Sequence, residues 1–296
     1  MIISNHLRKM AIPASALLLT ACASASLSAP EARLTEQPVK IQQIRNATMK
    51  VDYAGTTFLI DPLLAEEDAY PGFPGTINSH LRWPRAALPV TVAEVLQADA
   101  VVITHTHLDH WDDAAKQALP KNMPIFAQNE TDAQSIRNDG FTDVRVLTGT
   151  TEFNGTRLTR IEGQHYSDDM PPELKVLAGA TIGIVFQHAD HETVYVAGDT
   201  IWTPRVEDAI RTYRPEVIVL NTAYARMEGY DNSIIMGKED FLRAYRLAPN
   251  SKILGIHMDT INHAAQTRRD LIDYIAQTGM DANRVLVPHD GETYTF

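Results

Sequence analysis

Cysteine is nearly absent from this chain of 296 residues, because Cys22 is the only one. A framework of disulfide bonds is therefore excluded, and no thiolate is available to a metal site further along the chain. Any metal ion in the body of the protein must be held by nitrogen and oxygen atoms.

Positive charge is also scarce, with 26 Lys and Arg residues against 37 Asp and Glu residues and a net charge of −11. Proteins that bind nucleic acids neutralise phosphates with clusters of Lys and Arg, so a nucleic-acid partner is not expected. The composition, 44% hydrophobic and 21% charged, provides enough apolar material for one large core.

The apolar run Ala11–Thr20 follows Arg8 and Lys9. It is too short to span a bilayer and has the size of a signal-peptide core. The run ends in Leu19–Cys22, whose sequence Leu-Thr-Ala-Cys resembles the lipobox of bacterial lipoproteins. That resemblance implies that the cysteine is lipidated and becomes the first mature residue, whereas ordinary cleavage after Ala23–Ala25 is the alternative.

We therefore predict three segments: a lipoprotein-type signal peptide with its lipidated Cys22 (residues 1–22), a flexible tether (23–37) and one folded domain (38–296). The tether is rich in Ala, Ser, Pro and Glu, a composition that cannot build a core of its own. The expected location is the bacterial cell envelope, lipid-anchored and facing the periplasm, with a soluble periplasmic protein as the alternative.

A dense group of candidate metal ligands occupies residues 104–110, Thr-His-Thr-His-Leu-Asp-His, directly after the apolar run Val101–Ile103. An extended chain places alternate side chains on one face, so His105, His107 and Asp109 are expected to converge. His110 can join them only where the chain stops being extended. Such a set can hold two divalent cations close together.

This stretch resembles the signature of the metallo-β-lactamase superfamily, whose members share a four-layer αββα sandwich. The resemblance extends from about residue 41 to residue 296. Strands and helices alternate through the same region, which independently indicates an α/β fold.

The resemblance also implies three further site residues. His165, after the hairpin predicted over 151–162, matches a lone ligand histidine. Asp199, within Gly198–Thr200, matches the aspartate that bridges two metals, although a helix-capping role is the alternative. Asp61 matches a residue that orients a ligand histidine by hydrogen bonding, and a simple turn before proline is the alternative.

Two histidines compete for the last ligand position. His257 follows the predicted strand Lys252–Ile256, and strand ends deliver the other candidates, so we predict that His257 is the ligand. His263 is interpreted as the opening of a helix running to Gln277 and as a candidate for substrate contact. His289 is expected on the surface.

The superfamily signature does not specify a substrate. The chain is most similar to the branch with the ascorbate-phosphate lactonase and, more distantly, to the phospholipase D that acts on N-acyl-phosphatidylethanolamine. Met236-Gly237 stands where that phospholipase has a substrate histidine, which argues against phospholipids. The long segments Leu63–Pro89 and Asn221–Met236 are interpreted as either binding loops or surface loops.

The resulting hypothesis is a two-metal hydrolase that uses a metal-bound hydroxide on an ester, lactone or phosphodiester, drawn from small-molecule or lipid-derived substrates. Zinc is the first candidate, with manganese or iron as alternatives, and Asp109 and His263 are the candidate catalytic residues. A mononuclear-iron oxidoreductase and a non-catalytic metal-binding lipoprotein are the alternative functions. The predicted ligands are His105, His107 and His165 for one ion and Asp109, His110 and His257 for the other, with Asp199 shared.

Overall fold

The computed structural model describes residues 1–2 and 38–296. The predicted lipidation site Cys22 and the tether (23–37) lie outside the described residues, as does the signal peptide apart from its first two residues. From residue 38 onward the chain forms one compact unit. Within the described ranges, none of the helices is long and apolar enough to cross a membrane.

One mixed sheet is built mainly from the first half of the domain. Its seven strands are β1 (Lys40–Arg45), β2 (Thr48–Tyr53), β3 (Thr56–Ile60), β4 (Ala100–Ile103), β5 (Ile125–Ala127), β6 (Val144–Val146) and β14 (Thr293–Thr295). Their order is β14-β1-β2-β3-β4-β5-β6. The pairs from β3 to β6 are parallel, so β3 and β4 end at the same edge of the sheet.

The second half builds a matching sheet. Its strands are β7 (Thr150–Phe153), β8 (Thr156–Glu162), β9 (Ile182–His188), β10 (His191–Val196), β11 (Val217–Asn221), β12 (Lys252–Ile256) and β13 (Val285–Leu286). Their order is β13-β12-β11-β10-β9-β8-β7. β8 and β10 both run antiparallel to β9, and β10 to β13 are parallel. The carboxyl ends of β8, β10 and β12 therefore share one edge.

Helices cover the outer face of each sheet. They are α1 (Val92–Val95), α2 (Asp113–Ala118), α3 (Glu130–Asn138), α4 (Pro172–Ala178), α5 (Pro204–Tyr213), α6 (Lys238–Leu247) and α7 (Arg268–Thr278). The first three pack against the first sheet, the other four against the second, and the two sheets share an apolar core. The predicted four-layer αββα architecture is confirmed. Since each sheet is covered on both faces, strands such as β4 read as continuous apolar runs.

One local prediction was wrong, and one helix was not predicted. Helix α7 begins at Arg268 and not at His263, because Thr267 and Asp270 form a capping box that fixes the start of the helix. The segment before it turns repeatedly, with the left-handed residue Asp259 at φ 64°. Helix α4 was not predicted at all, since its seven residues are too few to show a clear helical period.

Candidate metal centre

Two groups of histidine and aspartate side chains converge between the two sheets. In each group, one ligand atom per residue lies within 4.8 Å of the ligand atoms of all the others. The structure thus brings together all seven residues that the sequence predicts as ligands. The first group is His105, His107 and His165, and the second is Asp109, His110, Asp199 and His257.

Residues 104–110 reach the site by a turn and not by the extended geometry expected from their spacing. Strand β4 ends at Ile103, and the backbone N–H groups of His110 and Trp111 both donate to the carbonyl oxygen of His107, each at 2.9 Å. The turn separates the pattern into its two halves. It leaves His107 with the first group and carries Asp109 to the second.

The remaining ligands follow strand ends in the second sheet, as predicted. His165 lies just beyond β8, Asp199 beyond β10 and His257 directly after β12. At two of these strand ends, the backbone conformation is tightly constrained. A Cβ atom on Gly198 would lie 2.4 Å from the carbonyl oxygen of Ile182, and Gly198 has φ 68° while His257 has φ 71°. A non-glycine residue in the left-handed region is uncommon and is found disproportionately at functional sites.

In the first group, each imidazole has an acceptor at its outer nitrogen. His107 Nε2 lies 3.2 Å from the carbonyl oxygen of Leu177, and His165 Nδ1 lies 3.0 Å from that of Ile234. His105 Nδ1 lies 3.2 Å from the hydroxyl of Thr104. An N–H on the outer nitrogen leaves a lone pair on the inner nitrogen, which is the arrangement of ligand histidines in metal sites.

In the second group, Asp61 orients His110. The His110 Nδ1–H donates to Asp61 Oδ2 at 2.8 Å, and the backbone N–H and hydroxyl of Thr104 donate to the same carboxylate at 2.7 and 2.6 Å. Asp61 is 1% exposed and left-handed at φ 46°. This is the contact that the orienting role of Asp61 requires, and it turns His110 Nε2 towards the other three ligands.

The donor atoms fit a metal ion. Zinc bonds of about 2.0 to 2.1 Å in a tetrahedron place neighbouring ligand atoms about 3.3 Å apart. The Nε2 atoms of His110 and His257 are 3.0 Å apart, and His257 Nε2 lies 3.5 Å from a carboxylate oxygen of Asp109 and of Asp199. When the imidazoles are neutral, these inward atoms are acceptors facing acceptors, an arrangement that a cation at the centre would stabilise.

Burial and close charges shift the pKa values of the cluster strongly, and protons compete with a metal ion for the same nitrogen and oxygen atoms. Burial lowers the pKa of His110, but neighbouring carboxylates, led by Asp199, outweigh it and raise that pKa well above its usual range. Burial raises the pKa of Asp199, but His257 and His110 outweigh it and hold that pKa well below its usual range. Burial lowers the pKa of His105, and so do the rings of His110 and His107.

A cavity of about 340 Å³ opens beside both groups. Its walls come from loops and from α4, and no Lys or Arg is among the residues of the described chain that line it. The segments 63–89 and 221–236, whose role the sequence left open, both contribute to the walls. The lining residues are Phe73, Pro74, Thr76, His107, Asp109, His165, Leu177, Ala178, Asp199, Met227, Ile234 and His263.

His263 lies at this cavity but outside both ligand groups. Its ring meets Phe73 edge-on, with ring centres 5.1 Å apart, and its Nδ1 has no hydrogen-bond partner among the described residues. Burial lowers the pKa of His263 to about 4, so the ring is neutral at pH 7. His289 is exposed, as expected, and does not line the cavity.

The sequence is similar to those of known metal-dependent hydrolases. A family profile described as "Beta-lactamase superfamily domain" matches residues 56–258. The UPF0173 protein YddR of Bacillus subtilis is 44% identical over 265 residues, which cover 87% of this chain and all of that protein. A UPF0173 metal-dependent hydrolase of Methanocaldococcus jannaschii is 23% identical, covering 66% of this chain and 81% of its own.

Two solved structures are similar over nearly their whole length. A possible metal-dependent hydrolase from Veillonella parvula is 46% identical with a TM-score of 0.86, covering 88% of this chain and 100% of its own. An isothiocyanate hydrolase from Delia radicum gut bacteria is also 46% identical, with a TM-score of 0.84, covering 87% of this chain and 99% of its own.

Proposed function

The chain belongs to the UPF0173 metal-dependent hydrolase family of the metallo-β-lactamase superfamily. We propose that it hydrolyses small, uncharged electrophiles at a two-metal centre. One observation carries the proposal. Seven inward ligand atoms, with most of their imidazoles held from outside by hydrogen bonds, adjoin a cavity with an apolar lining and no basic side chain among its described residues.

When bound, two divalent ions supply a water of lowered pKa and a Lewis acid for the electrophile's heteroatom. The protein's own residues set the geometry. Asn221 Nδ2 donates to Asp199 Oδ1 at 2.6 Å, which fixes the carboxylate proposed to bridge the ions. Asp109 is both a proposed ligand and a wall of the cavity, so its carboxylate can orient the attacking water by accepting a hydrogen bond from it.

His263 is proposed to position the substrate. His263 is 8% exposed and lines the cavity, and as a neutral imidazole its ring carries one N–H that can donate to a substrate heteroatom. A hydrogen bond there would strengthen as negative charge develops on the electrophile during attack.

The cavity favours carbon electrophiles over phosphodiesters. A phosphodiester carries a negative charge that proteins commonly pair with Arg or Lys, and the described lining offers neither. Isothiocyanates are the first candidates, because a structure 46% identical to this chain is an isothiocyanate hydrolase. Water would add across the C=N bond to give a thiocarbamic acid, whose C–N bond then breaks to release a primary amine and carbonyl sulfide.

Esters and lactones, which are the carbon electrophiles predicted from the sequence, are the second candidates, because the same apolar walls accept their substituents. The similarity to the ascorbate-phosphate lactonase branch stays a prediction. So does the location: we propose that Cys22 is lipidated and anchors the protein in the cell envelope, on the basis of the Leu-Thr-Ala-Cys sequence that ends the apolar run.

The test compares one isothiocyanate, one lactone and one phosphodiester, each with a phenyl-containing substituent. The zinc-loaded protein should hydrolyse the isothiocyanate fastest and the phosphodiester slowest. Chelation should abolish all activity, and added metal should restore it. The Asp109→Asn variant should lose roughly 100-fold or more in kcat, whereas His289→Ala, at an exposed site, should match the unaltered protein. Equal rates with and without metal, or a preference for the phosphodiester, would refute the proposal.

A further inference from the structure

Helix α4 presents two adjacent apolar side chains to solvent. Val176 is 81% exposed and Leu177 is 61% exposed. Among the described residues, the only other large apolar side chains that are exposed are the first two of the chain and Ile272. Single exposed apolar residues are common on protein surfaces, but a pair beside a cavity marks a place where a ligand or partner can bind.

Helix α4 and the turn before it are well anchored, so this exposure is not the result of a loose segment. Met170 and Ala178 are buried, and Leu174 packs against the core beneath the second sheet. The Lys175 ammonium donates to the carbonyl oxygen of Asp168 at 2.7 Å. Because these contacts fix the helix, the direction of its outer residues is set by the fold.

Leu177 is linked to the site in two ways that Val176 is not. It is among the residues that line the cavity, together with Phe73 and Met227. Its carbonyl oxygen lies 3.2 Å from His107 Nε2 and is therefore the acceptor that orients this ligand. One residue thus contributes to both the substrate wall and the outer support of the metal site.

We infer that Leu177 is a specificity-determining residue, whose side chain packs against the apolar substituent of the substrate. This inference rests on the proposed function. It names the group that the cavity selects, which is an unbranched alkyl chain or an aryl group attached to the atom next to the reacting carbon. A bound substituent would cover the exposed part of Leu177 and gain the free energy of removing apolar surface from water. The backbone carbonyl of the same residue keeps His107 in place, so the position of the wall relative to the reacting centre is fixed.

The test uses n-alkyl isothiocyanates from methyl to hexyl with three proteins: the unaltered chain, Leu177→Ala and Val176→Ala. In the unaltered chain kcat/KM should rise with chain length. Leu177→Ala should lose about tenfold for the hexyl substrate, mostly in KM, and be unchanged for the methyl substrate. Val176→Ala is the matched control, and it should follow the unaltered chain. All three should contain the same amount of metal, because the contact with His107 comes from the backbone.

A second measurement separates this inference from the reaction itself. Calorimetry with N-hexylacetamide and N-methylacetamide, on loaded and metal-free protein, reports binding without turnover. If the unaltered chain hydrolyses no isothiocyanate but binds N-hexylacetamide through Leu177, the proposed reaction fails and the inference stands. If isothiocyanates are hydrolysed with the same chain-length dependence in all three proteins, Leu177 does not determine specificity. A change in oligomeric state in both variants would instead assign the apolar pair to self-association and overturn the inference.

Discussion

At the scale of single residues, the site depends on which nitrogen of each imidazole faces inward. In His107, His110 and His165 the outer nitrogen has a carbonyl or carboxylate partner, which determines the tautomer and leaves the inner lone pair free. His257 is the exception, because its Nδ1 has no partner among the described residues. The backbone N–H of His257 is instead tied to the carbonyl oxygen of Asn46 at 3.1 Å.

The first prediction distinguishes His257 from His263. His257 Nε2 belongs to the second ligand group, so His257→Ala should lower the affinity for one metal by about ten- to a hundredfold or more. His263→Ala should keep both metals and change KM or substrate preference. Titration of both variants with zinc in the presence of a competing chelator measures this, with His289→Ala as the surface control. Loss of a metal in the His263 variant and not in the His257 variant would reverse the assignment.

The second prediction concerns the pH dependence of stability without metal. The pKa of His110 and His257 is raised in the fold, so their contribution is complete below about pH 6.5 and is lost as the pH rises through their folded values. The pKa of His105 is lowered, and that of His165 and His263 is lowered to about 4. These three make the fold less stable as the pH falls below about 6.5.

Metal-free protein should therefore show a maximum in Tm near pH 6.5. The Tm of metal-loaded protein should not fall as the pH rises just above 6.5. In the loaded protein the imidazoles hold metal and not protons, so the loss above this pH disappears. Thermal unfolding of both forms between about pH 5 and pH 8.5 measures the difference in Tm, which should widen above pH 6.5. A constant difference across this range would contradict the assigned pKa directions.

At the scale of elements, strand ends deliver ligands and loops build the walls. The ligands were predictable because their motifs resemble those of the superfamily, and because His257 and Asp199 follow apolar runs that read as buried strands. The walls of the cavity were not predictable, because Phe73, Leu177 and Met227 come from distant segments that only tertiary packing brings together. The aromatic residues of segment 63–89 were the only available signal, and they did not separate a binding loop from a surface loop.

The third prediction concerns Asn262, which fastens one of these walls. Its side chain is 1% exposed. It accepts from the backbone N–H of Phe73 at 3.1 Å and donates to Thr76 Oγ1 at 2.9 Å and to the carbonyl oxygen of Ile77 at 3.0 Å. Asn262→Ala removes three hydrogen bonds and leaves buried groups unpaired, which should cost about 2 to 4 kcal/mol of the free energy of unfolding.

Because Phe73 and Thr76 line the cavity, the same variant should raise KM more than it lowers kcat. Urea denaturation and steady-state kinetics measure the two effects. Asn262→Asp keeps the acceptor for Phe73 but loses the donors and sets a buried carboxylate against the carbonyl oxygen of Ile77, so it should be at least as destabilised as Asn262→Ala. An Asn262→Ala variant with unaltered stability and KM would show that this wall is held by other contacts.

Across the whole molecule, the two sheets pack face to face over one shared core, and the site lies at the edge where their ligand-bearing strands end. The backbone N–H of Ile182 at the start of β9 donates to the carbonyl oxygen of Thr104 beyond β4, at 3.2 Å, which links the sheets directly at the metal centre. The four-layer fold was predictable because its signature motif and the alternation of strands and helices agree. Helix α4 was not predicted from the sequence, because a short helix depends mainly on tertiary contacts, here those of Met170 and Leu174.

The fourth prediction concerns how the whole molecule is held in the cell. If Cys22 is lipidated, the protein should fractionate with membranes, and Cys22→Ala should move it to the soluble envelope fraction or leave an uncleaved precursor. Mass spectrometry of the mature N-terminus reports the modification directly. A mature N-terminus beyond Cys22 would show that the alternative, ordinary cleavage, is correct.

Anomalous diffraction from crystals of the zinc-loaded protein tests directly whether this fold holds two metal ions. We predict two anomalous peaks per chain, one among His105, His107 and His165 and the other among Asp109, His110 and His257, with Asp199 between them. In the Asp109→Ala, His110→Ala double variant the second peak should disappear while the fold is retained. A single peak in the fully loaded, unaltered protein, or peaks away from these residues, would contradict the two-metal account.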